Sequence, residues 1–314
     1  MREKYVWIGI ILIFISVIGN YIYFQSKQLD EPLFLEHYIS HELHEQQDEV
    51  FLQFYYVTNK EDPAIVNYVQ MDGIEAYPES NQQVFGWNND QPQIQYHQEF
   101  SHYYLVPVKI ILRKDMIPVE EGKPWTFENM TVHFSNGQLV DTNIGEVMIS
   151  KANRGHYDGL QFRSSSGGNH REKDAIVATE SLTIAEINIL FSNQASKDIA
   201  MKIYTDSLGN EEEVRQAMNR QDWLRDTMDE EWDELPGVDV EDHIFPLDLE
   251  DGNWLYFLKQ YNPDQMSYYD FTVELKGISD TGKEFVYPVN IHHQPYLDQK
   301  VVNEWIAEKE NGGI

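Results

Sequence analysis

From Tyr5 to Phe24 the chain runs twenty residues without a charged side chain, preceded by Arg2 and Lys4 and followed by a strongly acidic remainder. A bilayer core about 30 Å thick takes about 20 helical residues at about 1.5 Å each, so this run is long enough to cross one. Tyr5 and Trp7 at one end, and Tyr21 and Tyr23 at the other, fall where amphipathic rings prefer the headgroup layers, with Asn20 near the exit. Basic residues favour the cytoplasmic side, and Arg2 and Lys4 precede the run whereas only Lys27 follows it closely. The expected topology is a cytoplasmic tail at 1–4, a transmembrane anchor at 5–24 and an extracytoplasmic remainder: a single-pass protein of the cell membrane, N-terminus inside. A cleaved signal peptide shares the basic start and apolar middle but needs small residues at its cleavage site. Tyr21-Ile22-Tyr23-Phe24-Gln25 supplies none.

The absence of cysteine excludes a cysteine-linked lipoprotein and any disulfide framework. An exported chain that relies on packing alone fits a Gram-positive-type envelope, where Asn129-Met130-Thr131 would not serve as a glycan acceptor. A formal net charge of -30 argues against nucleic acid as a partner, because binding phosphates requires clustered Lys and Arg to release counterions. It also disfavours lying flat on anionic lipid. The ordinary meaning of such charge is solubility, and beyond that it can attract cations or basic protein faces.

After the anchor, Pro32, Leu35, Ile39 and Leu43 recur at helical spacing, and the expectation is a juxtamembrane helix over 25–49. The fold class expected for the remainder is mainly β, an antiparallel sandwich-like ectodomain of two β-domains with a few amphipathic helices. Segments rich in β-branched and aromatic residues, such as Val50–Val57, Val84–Trp87 and Tyr103–Leu112, alternate with turn clusters such as Asp72-Gly73 and Ser135-Asn136-Gly137. They assign 50–163 to a first β-rich domain and 176–296 to a second. Between them Ser164-Ser165-Ser166-Gly167-Gly168-Asn169 reads as a flexible loop or linker spanning 164–175. A helical insertion is expected at 211–235, capped by Asn210 with Glu213 as its reciprocal partner, and a closing helix at 297–314 with a stripe of Leu297, Val301 and Trp305, and Ile306 beside it. Met130–Gly137 and Phe271–Gly282 both read as strand followed by a glycine turn, a weak hint of internal repetition.

Motifs for chemistry are few. Gly277-Ile278-Ser279-Asp280-Thr281-Gly282-Lys283 matches seven positions of a phosphate loop, but Glu284 replaces the hydroxyl residue and a strand follows where a helix is required, so it reads as a hairpin turn. The acidic run from Asp239 to Gly252 suggests calcium, yet its glycine and final glutamate are out of register for an EF-hand loop. On the expected juxtamembrane helix His37, His41 and His44 share one face at spacings of four and three, so their imidazoles could converge on zinc. The ordinary reading of that face is solvated polar surface, and a pH-sensitive patch is a third. His292 and His293, adjacent in a strand, point to opposite faces and cannot easily share an ion.

No G-x-S-x-G elbow and no S-x-x-K occurs, and cysteine nucleophiles are absent. No catalytic or cofactor-binding residue can be nominated. The function that fits is a membrane-anchored binding or scaffold protein on the outer face of the membrane, with the bilayer and a membrane-protein or cell-wall component as partners. Three alternatives stay open: an accessory or sensor subunit of a membrane complex, an envelope glycan hydrolase using an unidentified carboxylate pair, and a metal-binding envelope protein.

Overall fold

The computed structural model describes residues 2–79, 95–152, 157, 159–168, 170–205, 231–240 and 244–311, without the side chains of 2–4, 6, 9 and 311. The chain opens with helix α1 (Arg2–Gln25) and continues into strands β1 (Leu33–Phe34), β2 (Glu36–Leu43), β3 (Glu49–Asn59), β4 (Val66–Met71), β5 (Ile74–Pro78) and β6 (Gln98–Glu99). Then come β7 (Tyr103–Arg113), β8 (Trp125–Phe134), β9 (Leu139–Lys151), β10 (Leu160–Gly168), β11 (Arg171–Ala178) and β12 (Leu182–Ile189). Helix α2 (Ser192–Asp198) leads to β13 (Ile199–Thr205), β14 (Val238–Asp239), β15 (Leu247–Leu249), β16 (Trp254–Tyr261), β17 (Ser267–Ser279) and β18 (Glu284–His293), with α3 (Gln299–Asn311) last. The protein is mainly β. It divides into two compact units, one formed by Met1–Leu35, Asp48–Ile117 and Phe127–Gly145, the other by Glu36–Gln47, Pro118–Thr126 and Glu146–Ile314.

In the first unit the strand order is β1-β3-β7-β5-β4-β8, with β9 following β8. Its longest ladder pairs β3 with β7 from Glu49↔Arg113 to Asn59↔Tyr103. The two-residue period of a strand sends Val50, Leu52, Phe54 and Tyr56 inward, all buried, while Phe51 remains 41% exposed. Each such buried side chain contributes roughly 1.5–3 kcal/mol. Helix α1 belongs to this unit, and Ile11, Leu12, Phe14, Ile15, Ile18 and Ile22 stand exposed on it. Among the described residues no helix is long and apolar enough to cross a membrane; the unbroken part of α1 with described side chains is 10–25.

In the second unit β10-β11-β16-β13-β14 form one sheet, and β2-β17-β12-β15, with β18 added on β17, form the other. A single apolar cluster draws Ile176, Ile203 and Phe257 from the first sheet and Phe271, Val273, Leu275 and Ile291 from the second, so the two pack face to face as a sandwich. Strand β17 organises the second sheet, pairing antiparallel with β18 and β12 and parallel with β2. Gly277 lets β12 come close: a Cβ there would collide with the Thr183 carbonyl and the Phe285 ring. The phosphate-loop look-alike is the β17–β18 turn, where Ser279 N donates to Lys283 O at 2.9 Å and Gly282 takes a φ of 79°.

Two expectations are corrected. The segment 25–49 is not a juxtamembrane helix: past Gln25 it forms β1 and β2. Residues four apart share a face in a strand as they do in a helix, so Leu35, Ile39 and Leu43 fit both periods. The extended form wins because His37, Tyr38 and Ile39 are all buried, which leaves no polar face for a surface helix. The segment 164–175 is likewise not a linker but the β10–β11 hairpin, paired from Leu160↔Ala178 to Gly168↔Arg171 and turned at His170 with a φ of 61°. β10 is an edge strand whose serines and glycines meet solvent, so its composition imitates a loop. Of the helix expected at 211–235, residues up to 230 lie outside the described residues, as do Val84–Trp87, and Trp232–Glu234 make one 3₁₀ turn. Helix α3 buries Ile306, as expected, together with Val302, while the expected Val301 and Trp305 are half-buried.

Candidate functional site

A cavity of about 1030 Å³ opens within the second unit. Its floor is the outward face of the β17–β18 hairpin, where Thr272 and Asn290 are register partners flanked by Pro288 and Val286. One wall comes from β2 and the turn after it, with Ser40, His41, Glu42, His44 and Gln47; the other carries Tyr157, Gln161, Phe162 and Tyr287. The lining thus joins aromatic rings to hydroxyl, amide and imidazole groups, a mixture that can both stack against and hydrogen-bond a ligand. Phe162 is 56% exposed at the edge.

The structure separates the three histidines proposed as metal ligands. His41 and His44 line the cavity, whereas His37 is fully buried with its ring 5.8 Å from that of Tyr268. The cause is the backbone: residues four apart on a helix stand about 5–6 Å apart, but in a strand the same spacing spans about 13 Å. Among the described residues no group of three or more His, Cys, Asp or Glu side chains is placed to hold a metal. The His41 imidazole, through Nε2, lies 3.1 Å from Gln47 Nε2 in a side-chain hydrogen bond. Burial is the main force holding its pKa below the usual value.

The acidic run does not gather either. Asp239 lies in β14, Asp248 lies in β15 and accepts from Thr183 Oγ1 at 2.6 Å, and Glu250 and Asp251 enter a turn; 241–243 lie outside the described residues. His292 and His293 do face opposite ways. His292 Nδ1 stands 3.4 Å from Asp270 Oδ1, and hydrogen bonding to that carboxylate raises its pKa. His293 stacks on Tyr261 at 4.0 Å, and burial, with His170 and His292 nearby, lowers its pKa to about 4.

Beside the main cavity, a smaller one of about 330 Å³ shares Phe162, Tyr287, Pro288 and Asn290 and reaches a charge cluster that the sequence did not disclose. Lys259, 2% exposed, places Nζ 2.9 Å from Glu172 Oε2 and 2.9 Å from Asp174 Oδ2, and donates to Asn290 O at 3.0 Å. Tyr261 adds a hydroxyl donor to Glu172 Oε2 at 3.0 Å, and burial drives that phenol's pKa upward. An ammonium has three protons, and here three acceptors meet it. The cluster therefore ties β11 and β16 to β18 across the sandwich, with each carboxylate giving an oxygen to the lysine. Alternation along β11 sends its neighbour Lys173 the other way, over the Tyr256 ring at 4.5 Å, where burial lowers its pKa to about 7. Arg171-Glu172-Lys173-Asp174 falls in the segment expected to be a loop or linker; only the pairing of β11 with β16 brings Lys259 opposite.

No family model matches the chain, and no curated protein is similar to it. Among solved structures, a crystal structure of the YadV chaperone is aligned over 83% of this chain and 99% of its own, at 8% identity and a TM-score of 0.21. A likeness that slight carries no argument about function.

Proposed function

We propose that this is a single-pass membrane-anchored binding protein of a Gram-positive-type envelope, with α1 as the anchor and the cavity of the second unit as its binding site on the outer side. The observation that carries the reading is the cavity: aromatic rings, polar side chains and the Glu42 carboxylate line it, and its floor is a hairpin of paired strands rather than a loop. The anchor is supported by the uncharged run from Tyr5 to Phe24, by its helical form and by the apolar side chains that α1 leaves exposed. Binding is favoured over glycan hydrolysis because the carboxylates of Glu172 and Asp174, beside the cavity, are both engaged by Lys259. A photo-crosslinking residue in place of Phe162, in the native membrane, tests the site. Adducts with a membrane protein or with wall fragments are expected, and Thr272→Trp, which fills the floor, should abolish them. Adducts confined to cytoplasmic proteins, or protection of the acidic bulk from protease on wall-stripped cells, would overturn the proposal.

A further inference from the structure

We infer that one end of the first unit, formed by Lys60, Tyr96, Glu99, His102 and Tyr104, is a lipid-facing collar seated in the headgroup layer around the exit of α1. This rests on the reading of α1 as a membrane anchor. The argument begins with how the helix joins the sheet. His102 lies against the last helical turn, its ring 6.2 Å from Tyr23 and 6.0 Å from Phe24. Just beyond, Tyr103 donates its hydroxyl to Lys27 O at 2.6 Å, and Asn59 clamps Leu29, accepting from its N–H at 2.9 Å and donating to its carbonyl at 2.8 Å. Gln138 donates to Asp30 O at 3.1 Å. The connection stays coiled: Ser26, Lys27 and Gln28 donate back to Ile22, Phe24 and Gln25. The connection of seven residues, 26–32, is thus held to the sheet by hydrogen bonds at Lys27, Leu29 and Asp30.

A headgroup layer is about 5–8 Å deep on each side of the core. If Tyr21 and Tyr23 occupy that layer, a ring in contact with Tyr23 occupies it too. Next to His102, Tyr96 and Tyr104 stack at 4.6 Å, with the Lys60 ammonium 5.7 Å from the Tyr104 ring. Lys60 pairs with Glu99, which also accepts from Tyr96 at 3.0 Å, and Lys60 N donates to His102 O at 2.9 Å. Tyr96 stays 46% exposed. Rings with polar tips and a lysine stem are what the interfacial layer accommodates best. Lys60 and Glu99 balance each other within the patch, while Asp30, Glu31, Glu61 and Asp62 stand exposed close by in the chain, so a zwitterionic headgroup surface is the fitting occupant and an anionic one is disfavoured.

The lack of cysteine makes the test direct. Single spin labels at Tyr96→Cys, Lys60→Cys, Phe51→Cys and Ile15→Cys would be placed in the full-length chain in phosphatidylcholine nanodiscs, comparing collisions with oxygen and with a water-soluble nickel chelate. Phe51 lies about 26 Å along β3 from Asn59 and serves as the aqueous reference. The labels at 96 and 60 should show an oxygen-to-nickel ratio several-fold above that at 51, and below that at 15. A lipid-like label at 15 with aqueous labels at 96 and 60 overturns the collar alone, and an aqueous label at 15 removes the anchor and the collar together. Either of the 60 and 96 variants suffices if the other does not fold.

Discussion

Replacing Lys259 by Met gives the sharpest test of how the second unit is held together. Methionine keeps much of the side chain's volume and removes only the ammonium, so the change isolates charge and hydrogen bonding. The lost partners are Glu172, Asp174 and the Asn290 carbonyl, at 2.9, 2.9 and 3.0 Å. Breaking a buried ion pair from one side costs about 3–5 kcal/mol, because the charge left behind has neither partner nor water. Asp174, with a side chain 9% exposed, is in that position, whereas Glu172 is 32% exposed and keeps the Tyr261 hydroxyl. The expected loss is therefore near the lower limit, about 3 kcal/mol, or about 6–12 °C in the melting temperature of a unit of this size. Thermal melts followed by near-ultraviolet circular dichroism on the full chain in detergent would measure it. Adding Glu172→Gln and Asp174→Asn should recover much of the loss. A deficit below about 1 kcal/mol, the range of exposed ion pairs, would refute the reasoning and mean that water already reaches the cluster.

Other expectations concern pH, metal and packing. The His293 pKa of about 4 lies below the ordinary 6.5, so between those values the unfolded chain binds a proton that the folded one refuses; stability should fall as pH drops through this window, and His293→Phe should flatten the fall in melts taken across it. Lys173, at about 7 against 10.5, acts by the same linkage in the alkaline range: stability should rise from pH 7 to about 10, and Lys173→Met should remove that rise. Melting temperatures with zinc, with calcium and with chelator should coincide; an increase with zinc that disappears in His41→Ala and His44→Ala would restore a metal site at the cavity. Gly277→Ala should cost about 1–3 kcal/mol through collision with the Thr183 carbonyl and Phe285, and a variant as stable as the parent would show that β12 can move aside.

The strands were legible where alternation was clean. β3 announces itself through Val50, Leu52, Phe54 and Tyr56, and β17 through Phe271, Val273 and Leu275, because every second residue in these runs is buried. β2 was misread because a four-residue spacing satisfies both periods, and nothing local reveals that a parallel partner, β17, lies more than two hundred residues ahead. β10 was misread because an edge strand can be built from serine and glycine when its backbone pairs on one side only. The site depended on these same ambiguities. A helix would have gathered His37, His41 and His44, while the strand distributes them between core and cavity. Lys259 is charged, yet it occupies a core-facing position of β16 between Phe257 and Tyr261, and only strand register says which carboxylates await it.

The two units have a consequence for heredity. The chain passes from one to the other after Leu35, Gln47, Ile117, Thr126 and Gly145. β8 begins among residues of one unit and ends among those of the other, and β9 does so in reverse. No uninterrupted stretch of the gene encodes the first unit, so it cannot be excised, fused elsewhere or exchanged by a single recombination. A ribosome that has reached Thr126 has completed neither, and the first unit closes only once Gly145 has emerged. The two units are thus one item of inheritance, gained, lost or moved together.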